Sequence, residues 1–408
     1  MKQYLKCIRC GRVYPLHDTR FRCDCGGLLE VRYSHFPGPS IVDTWEKRTG
    51  SREPLDQSGV WRYREFLIRS SNPVTYPEGR TNLYKLGVDG FENLYVKHEG
   101  ENPTGSFKDR GMTVGITHAK DLGMKAVACA STGNTSASMA AYAARAGIKA
   151  FVFLPSGRVA AGKLAQAVAY GATIFEVMGD FDDAMNMVVK VSKELGIYLL
   201  NSLNPVRLEG QKTIVIDTLH QLDWEIPDWI ILPGGNLGNT SAFGKALMEL
   251  KEAGIITKVP RLATIQALGA APFFRSFVNG FKTFQPVKAE TVATAIRIGN
   301  PVNFEKAKAG IQFTKGIVEA VTDREILDAK RILDRSGIGC EPASAASLAG
   351  VLKLYKMGVI KGYERIVLIL TGNLLKDPEI VPKVHDVRSI RVSSRFEDIR
   401  GILKEVIP

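Results

Sequence analysis

Lys108 lies in the run Asn102-Pro-Thr-Gly-Ser-Phe-Lys108-Asp-Arg-Gly111, just past a Pro/Gly/Ser turn. The residues that follow predict a helix over Phe107–Leu122. A helix N-terminus disfavours nearby positive charge, and partial burial disfavours an ammonium further. If such effects lower its pKa, the neutral amine can form a Schiff base with a carbonyl. An ordinary solvated lysine in a first helical turn has the same local sequence. Three other segments tip the balance toward chemistry.

The first is Ser131-Thr132-Gly-Asn134-Thr135-Ser136, between an apolar strand over Ala126–Ala130 and an alanine-rich helix over Ser136–Ala146. Hydroxyls and free N–H groups at a helix start suit a carboxylate. The second is Gly234-Gly235-Asn236-Leu237-Gly238-Asn239, between the strand Ile230–Leu232 and another helix. Its glycines and asparagines allow several N–H groups to converge on one anion, which makes a phosphate cradle. It lacks the Gly-Lys-Ser/Thr of a P-loop and the G-x-G-x-x-G of a dinucleotide fold. The third is Thr371-Gly-Asn373, at the end of the strand Ile366–Leu370. Ligands gather at such carboxyl ends in open α/β sheets.

NPTGSFKDRG, ASTGNTSAS, PGGNLGN and LTGN occur in this order over roughly residues 75–380. Together they resemble the fold-type II family of pyridoxal-phosphate enzymes, and within it the threonine synthases. The resemblance implies that Lys108 carries the covalent link to pyridoxal 5'-phosphate. It implies that Asn134 bonds the cofactor's phenolic oxygen, that Gly235, Asn236, Leu237, Gly238 and Asn239 hold its phosphate, and that Thr371 faces the pyridine nitrogen. A hydroxyl there cannot hold a proton on that nitrogen as firmly as a carboxylate, which would temper the electron sink.

A further run, Asn201-Ser202-Leu-Asn-Pro-Val-Arg207, follows a strand over Tyr198–Leu200. Arginine suits a phosphate because it offers two parallel donors. The resemblance puts Ser202 and Arg207 near a substrate phosphate, with Thr135 nearby and Ser131 and Thr132 also toward the substrate. An arginine on the surface of a helix over Leu208–Leu222 is the competing expectation. The implied reaction takes O-phospho-L-homoserine and water to L-threonine and phosphate, with Lys108 as proton shuttle. A cysteate synthase or a threonine or serine dehydratase on the same fold is the alternative activity. GGNLGN is less purely glycine than dehydratase loops usually are, whereas cysteate synthases share a phosphorylated amino-acid substrate.

The remaining elements must hold these segments together. Helices are expected over Val159–Tyr170, Phe181–Leu195 and Asp323–Ser336, and strands over Leu94–Lys97, Phe151–Leu154, Thr173–Val177 and Leu262–Ala267. Alternation of this kind predicts an α/β fold with mostly parallel sheets. With the resemblance, it predicts a two-lobed body over 76–408 with a nested smaller lobe near 124–225. Residues 34–75 read as a connecting segment.

Residues 1–33 form a small ribbon-like module with four of the six cysteines: Cys7-x-x-Cys10 and Cys23-x-Cys25. Four thiolates could hold one zinc ion, although the tight second pair constrains the geometry. A disulfide, or a metal-free ribbon folded through Tyr4, Tyr14, Leu28 and Tyr33, are the other readings. Cys129 and Cys340 read as core residues.

The chain has 408 residues, net charge +12 and 45% hydrophobic residues. That charge could suit nucleic acid, and a zinc-ribbon protein binding nucleic acid or a partner is the alternative from another class. The basic clusters Arg20–Arg22 and Arg388–Arg391 are short, however, and positive clefts also steer anionic substrates. No nucleic acid and no membrane are therefore expected. The expected partners are a phosphorylated amino acid and a second copy of the chain in a homodimer. Met1–Cys7 lacks the apolar core of a signal peptide, so a cytoplasmic location is expected.

Overall fold

Trp229-Ile-Ile-Leu-Pro233 has no polar side chain, and a strand is apolar on both faces where both faces are covered. In the computed structural model, which describes residues 1–157, 161–386 and 389–406, this run lies inside a six-stranded sheet. The strand order is Ile317–Val321, Arg261–Ala267, Trp229–Pro233, Arg365–Leu370, Asn93–His98, Leu83–Lys85. All neighbours are parallel except the final pair. Trp229 and Ile231 pack toward the helices Asp323–Arg335 and Pro342–Lys356. Ile230 and Leu232 pack toward Thr213–Gln221 and Gly238–Glu252 on the opposite face.

A second sheet has four parallel strands: Thr173–Val177, Lys149–Pro155, Ala126–Ala130 and Tyr198–Leu199. Helices Asn134–Ala146 and Phe181–Leu195 accompany it. Of the helix expected over Val159–Tyr170, Ala161–Ala169 is helical, while Val159 and Ala160 lie outside the described residues. Arg388 also lies outside them.

Three expectations change. The single helix expected over Leu208–Leu222 is two, Pro205–Gln211 and Thr213–Gln221. The Asn204 side chain caps the first and Pro205 takes its first helical position, so Arg207 lies inside the helix. Leu208, Ile214, Val215 and Leu219 pack into the core of the large sheet. The smaller sheet therefore runs only from Ala126 to Leu199, and the two helices after it, Pro205–Gln211 and Thr213–Gln221, side with the body. Residues 34–75 are more than a connection: Trp45, Tyr63 and Phe66 are fully buried in that same core. Isolated aromatics among polar residues carry no periodicity to reveal them.

The N-terminal module is an antiparallel sheet of Val13–Pro15, Gln3–Cys7 and Leu29–Tyr33. Leu29, Val31 and Tyr33 share a core with Val114 and Val206, one residue before Arg207. Among the described residues no helix is long and apolar enough to cross a membrane.

Arg110, two residues after Lys108, is fully buried. It donates to both oxygens of Glu99 at 2.7 Å and to Asp217 at 2.7 Å, and Lys97 reaches Asp217 at 2.8 Å. Burial alone would raise these carboxyls, but the cations overcome it and hold both below the usual range. Removing one partner leaves an uncompensated buried charge. Arg110→Ala is expected to lose about 3–5 kcal/mol of unfolding free energy, read by urea denaturation. Because the carboxyl values are depressed, the stability they contribute is present above about pH 4 and is lost as pH falls below it.

Candidate active site

Backbone hydrogen bonds tie the lysine turn to the strand-end turn. The Phe107 N–H donates to Thr371 O at 3.0 Å and the Asn373 N–H to Gly105 O at 2.9 Å. The Glu341 N–H donates to Gly372 O at 3.1 Å. Thr371 and Glu341 are thereby fixed beside Lys108, the first residue of the helix Lys108–Asp121.

Lys108 is half-buried, and its Nζ stands 3.9 Å over the Phe107 ring. Burial is the main force lowering its amine; the Arg207 guanidinium adds to it and the Glu341 carboxyl opposes it. The result is a value of about 7, so a large fraction is neutral near neutrality. Arg207 comes this close because its helix packs tightly on the lysine helix. A Cβ at Gly210 would stand 1.7 Å from the Arg110 carbonyl oxygen, so only glycine fits.

Arg207 is fully buried, which excludes the surface expectation. Its Nη1 donates to Leu200 O at 2.8 Å, while Nε and Nη2 have no partner among the described residues. Those two nitrogens form one edge of the guanidinium, the edge that grips an anion with paired donors. Burial lowers the group to about 10, which leaves it charged at neutral pH.

Asn134 opens its helix from the smaller lobe, and its Nδ2 donates to Glu341 Oε2 at 2.9 Å. The Thr371 hydroxyl donates to Glu341 Oε1 at 3.1 Å and lies 3.0 Å from Ser344 Oγ. Ser131, Thr132, Thr135 and Ser202 are half-buried at the ends of the smaller lobe's strands. Asn201 holds those ends together through two bonds to Ala130. Among the described residues no hydrogen bond engages the Thr132, Thr135 or Ser202 hydroxyl, whereas Ser131 Oγ accepts from the Gly133 N–H at 3.3 Å.

The loop Gly235–Asn239 enters the helix Gly238–Glu252. Leu237 adopts φ +61°, a left-handed conformation that costs a leucine about 1–3 kcal/mol. That turn aims successive N–H groups into one concavity. Among the described residues nothing accepts from the N–H groups of Gly235, Asn236, Leu237, Gly238 or Asn239. Asn303 fixes the loop: its Nδ2 donates to Asn236 O at 3.4 Å and to Ser202 O at 3.1 Å, joining the loop to the smaller lobe.

The family signature described as pyridoxal-phosphate dependent enzyme matches residues 74–372. A threonine synthase of Methanocaldococcus jannaschii is 49% identical over 98% of this chain and 99% of its own length. One of Methanosarcina acetivorans is 49% identical over 97% of this chain and 98% of its own. The chain belongs to the threonine synthases of the pyridoxal-phosphate-dependent enzyme family. The crystal structure of threonine synthase from Escherichia coli superposes with a TM-score of 0.69 over 99% of this chain and all of that one; at 16% identity, this bears on the fold alone.

Pyridoxal phosphate is the family's cofactor, and the residues fit it. The fold offers a partly neutral lysine, a nest of unengaged N–H groups and buried polar atoms without partners among the described residues, Ser106 Oγ among them.

The four N-terminal cysteines form a separate cluster. The Sγ atoms of Cys7, Cys10, Cys23 and Cys25 all lie within 4.8 Å of one another. The Cys7–Cys25 and Cys10–Cys23 pairs are 3.5 Å apart, far beyond a disulfide bond. Arg9 and Cys10 donate their N–H groups to Cys7 Sγ at 3.4 and 3.5 Å. A Cβ at Gly27 would meet Cys7 Sγ at 2.7 Å, so glycine leaves room for the sulfurs to converge.

Glu341, Ser344 and Asn303 are absent from the sequence-based candidates. One weak signal existed for the first two: Glu341-Pro-Ala-Ser344 has proline at a helix's first position after a polar residue. Nothing in the sequence around Asn303 distinguishes it.

Proposed function

We propose that this chain converts O-phospho-L-homoserine and water to L-threonine and inorganic phosphate. The observation that carries this reading is the pairing of a partly neutral Lys108 with a buried Arg207 whose Nε and Nη2 are free for a phosphate. Similarity to threonine synthases over the whole chain supports it.

Bound pyridoxal phosphate supplies an electron sink for a carbanion at the substrate's Cα. In this reading the N–H groups from Gly235 to Asn239 hold the cofactor's phosphate. Asn134 and Thr371 orient its ring, and Lys108 is its covalent anchor. When not in that link, the Lys108 amine would take the proton from the substrate's Cα and move protons at Cβ. Arg207 and Ser202, with Thr135, receive the substrate phosphate and stabilise it as it leaves Cγ. Ser131 and Thr132 take the substrate carboxylate at the helix start. Closing the smaller lobe over the body would exclude bulk water.

Phosphate release with O-phosphohomoserine, O-phosphoserine and threonine offered side by side tests this function. Release from O-phosphohomoserine with threonine formed in equal amount is expected. Sulfite-dependent turnover of O-phosphoserine, or deamination of threonine as the faster reaction, would replace it with one of the alternatives.

We also propose that Cys7, Cys10, Cys23 and Cys25 hold one zinc ion, a tetrahedral four-thiolate site suited to that metal. The site is structural in this reading. Cys7→Ser and Cys10→Ser are expected to lower metal content by elemental analysis and to lower the melting temperature by several degrees. The visible spectrum of bound cofactor should stay unchanged. Loss of cofactor from folded variants would contradict a purely structural role.

A further inference from the structure

We propose that Glu341 is a positioning residue of this site: it holds the Asn134 amide and the Thr371 hydroxyl together and sets the direction in which Thr371 presents its proton. The inference rests on the reading that Asn134 and Thr371 contact the cofactor ring.

Glu341 is 4% exposed and sits between the lobes. It spans from the smaller lobe's Asn134, which donates to Oε2 at 2.9 Å, to the body's Thr371, which donates to Oε1 at 3.1 Å. The carboxyl lies flat against Gly372, where a Cβ would stand 2.5 Å from its carbon. Only glycine at 372 leaves room for the carboxyl in this place.

Hydrogen-bond counting then fixes the direction of the chain. Ser344 Oγ accepts from the N–H groups of Thr371 at 2.8 Å and Gly372 at 2.9 Å. A hydroxyl has two lone pairs and one proton. Both lone pairs of Ser344 are taken, so its proton goes outward, and Thr371 Oγ1 is 3.0 Å away. The Gly372 carbonyl, at 3.4 Å, is the more distant acceptor. Thr371 thus accepts from Ser344 and donates to an ionised Glu341. Its remaining lone pair can only accept, which suits a protonated ring nitrogen. If Glu341 carries a proton, it donates to Thr371, and the threonine's own proton is released toward an unprotonated nitrogen. The state of Glu341 therefore sets the polarity of the contact to the ring nitrogen.

The surroundings allow both states. Burial pushes the carboxyl up; the Asn134 and Thr371 donors, Lys108 and Lys376 pull it back. The Cys340 thiol next to it is pushed well up, chiefly by burial, and stays neutral.

The test is a pH titration of the absorption of bound cofactor in the holoenzyme. Glu341→Gln cannot accept from Asn134 and Thr371 at once, because one end of its amide is a donor. Its titration midpoint is expected to move by about one pH unit or more, a tenfold change in proton affinity. Borohydride should still trap cofactor on Lys108. In a Thr371→Val background the same change should shift nothing further. A Glu341→Gln titration that superimposes on that of the unchanged protein overturns the proposal, as does an equal shift with and without the Thr371 hydroxyl. Apoprotein melting curves report folding separately. If Glu341→Gln does not fold, Glu341→Asp, which keeps the charge but draws it back by one methylene, is measured instead. A superimposable titration of a folded Glu341→Asp counts against the proposal in the same way. Absence of the Lys108 adduct in the unchanged protein would defeat the cofactor reading itself, an outcome distinct from failure of the Glu341 proposal.

Discussion

Lys108→Ala abolishes turnover, by more than about a thousandfold, and leaves no cofactor that borohydride can trap on the protein. In the proposed mechanism the covalent anchor and the proton shuttle are the same amine, so one substitution removes both. General acid–base catalysis alone is worth about a hundred- to ten-thousandfold. The proposed hold of the Gly235–Asn239 loop on the cofactor's phosphate does not need the lysine, so reversible cofactor uptake should survive in the variant. The amine's value of about 7 adds a pH signature. Only the neutral amine attacks the cofactor's aldehyde. The rate of loading onto apoprotein should therefore rise about tenfold per pH unit below 7 and level off above it. An ordinary lysine, near 10.4, would keep rising well past pH 9. Recovery of the reduced adduct on another lysine would end the assignment.

Arg207→Ala and Arg207→Lys both lower kcat/KM for O-phosphohomoserine about ten- to a hundredfold, the loss of about 1.5–3 kcal/mol from one charge-assisted partner. Lysine does not rescue because an ammonium lacks the paired edge that Nε and Nη2 present. The charge is also held at a fixed spot: Nη1 is anchored on Leu200 O, and Gly111, Gly115 and Gly210 let the helices close around the side chain. Losing this cation removes one of the forces lowering the Lys108 amine, so the loading profile of Arg207→Ala should move to higher pH. That shift separates a neighbour of Lys108 from a remote structural arginine. Activity near that of the unchanged protein in both variants would remove Arg207 from the site and weaken the phosphorylated-substrate reading.

Lys108, the Gly235–Asn239 loop and the strand-end Thr371 are legible in the sequence for one physical reason. Each depends on local backbone chemistry: a turn opening a helix, glycines allowing convergent N–H groups, a hydroxyl at a strand's end. The cysteine spacing is local in the same sense. The apolar runs Ala126–Ala130 and Trp229–Pro233 likewise announce buried parallel strands without any partner being known. Other features were decided by tertiary structure, since they join segments the sequence keeps far apart. Glu341 meets Asn134 across 207 residues and Thr371 across 30; by itself it is an acid before a proline. Arg207 reads equally as a surface residue until Gly210 brings its helix against Arg110 and buries the guanidinium. The lowered Lys108 amine belongs to neither list alone. The helix start is written in the chain, but the burial and the Arg207 charge that move it to about 7 exist only once the body has packed.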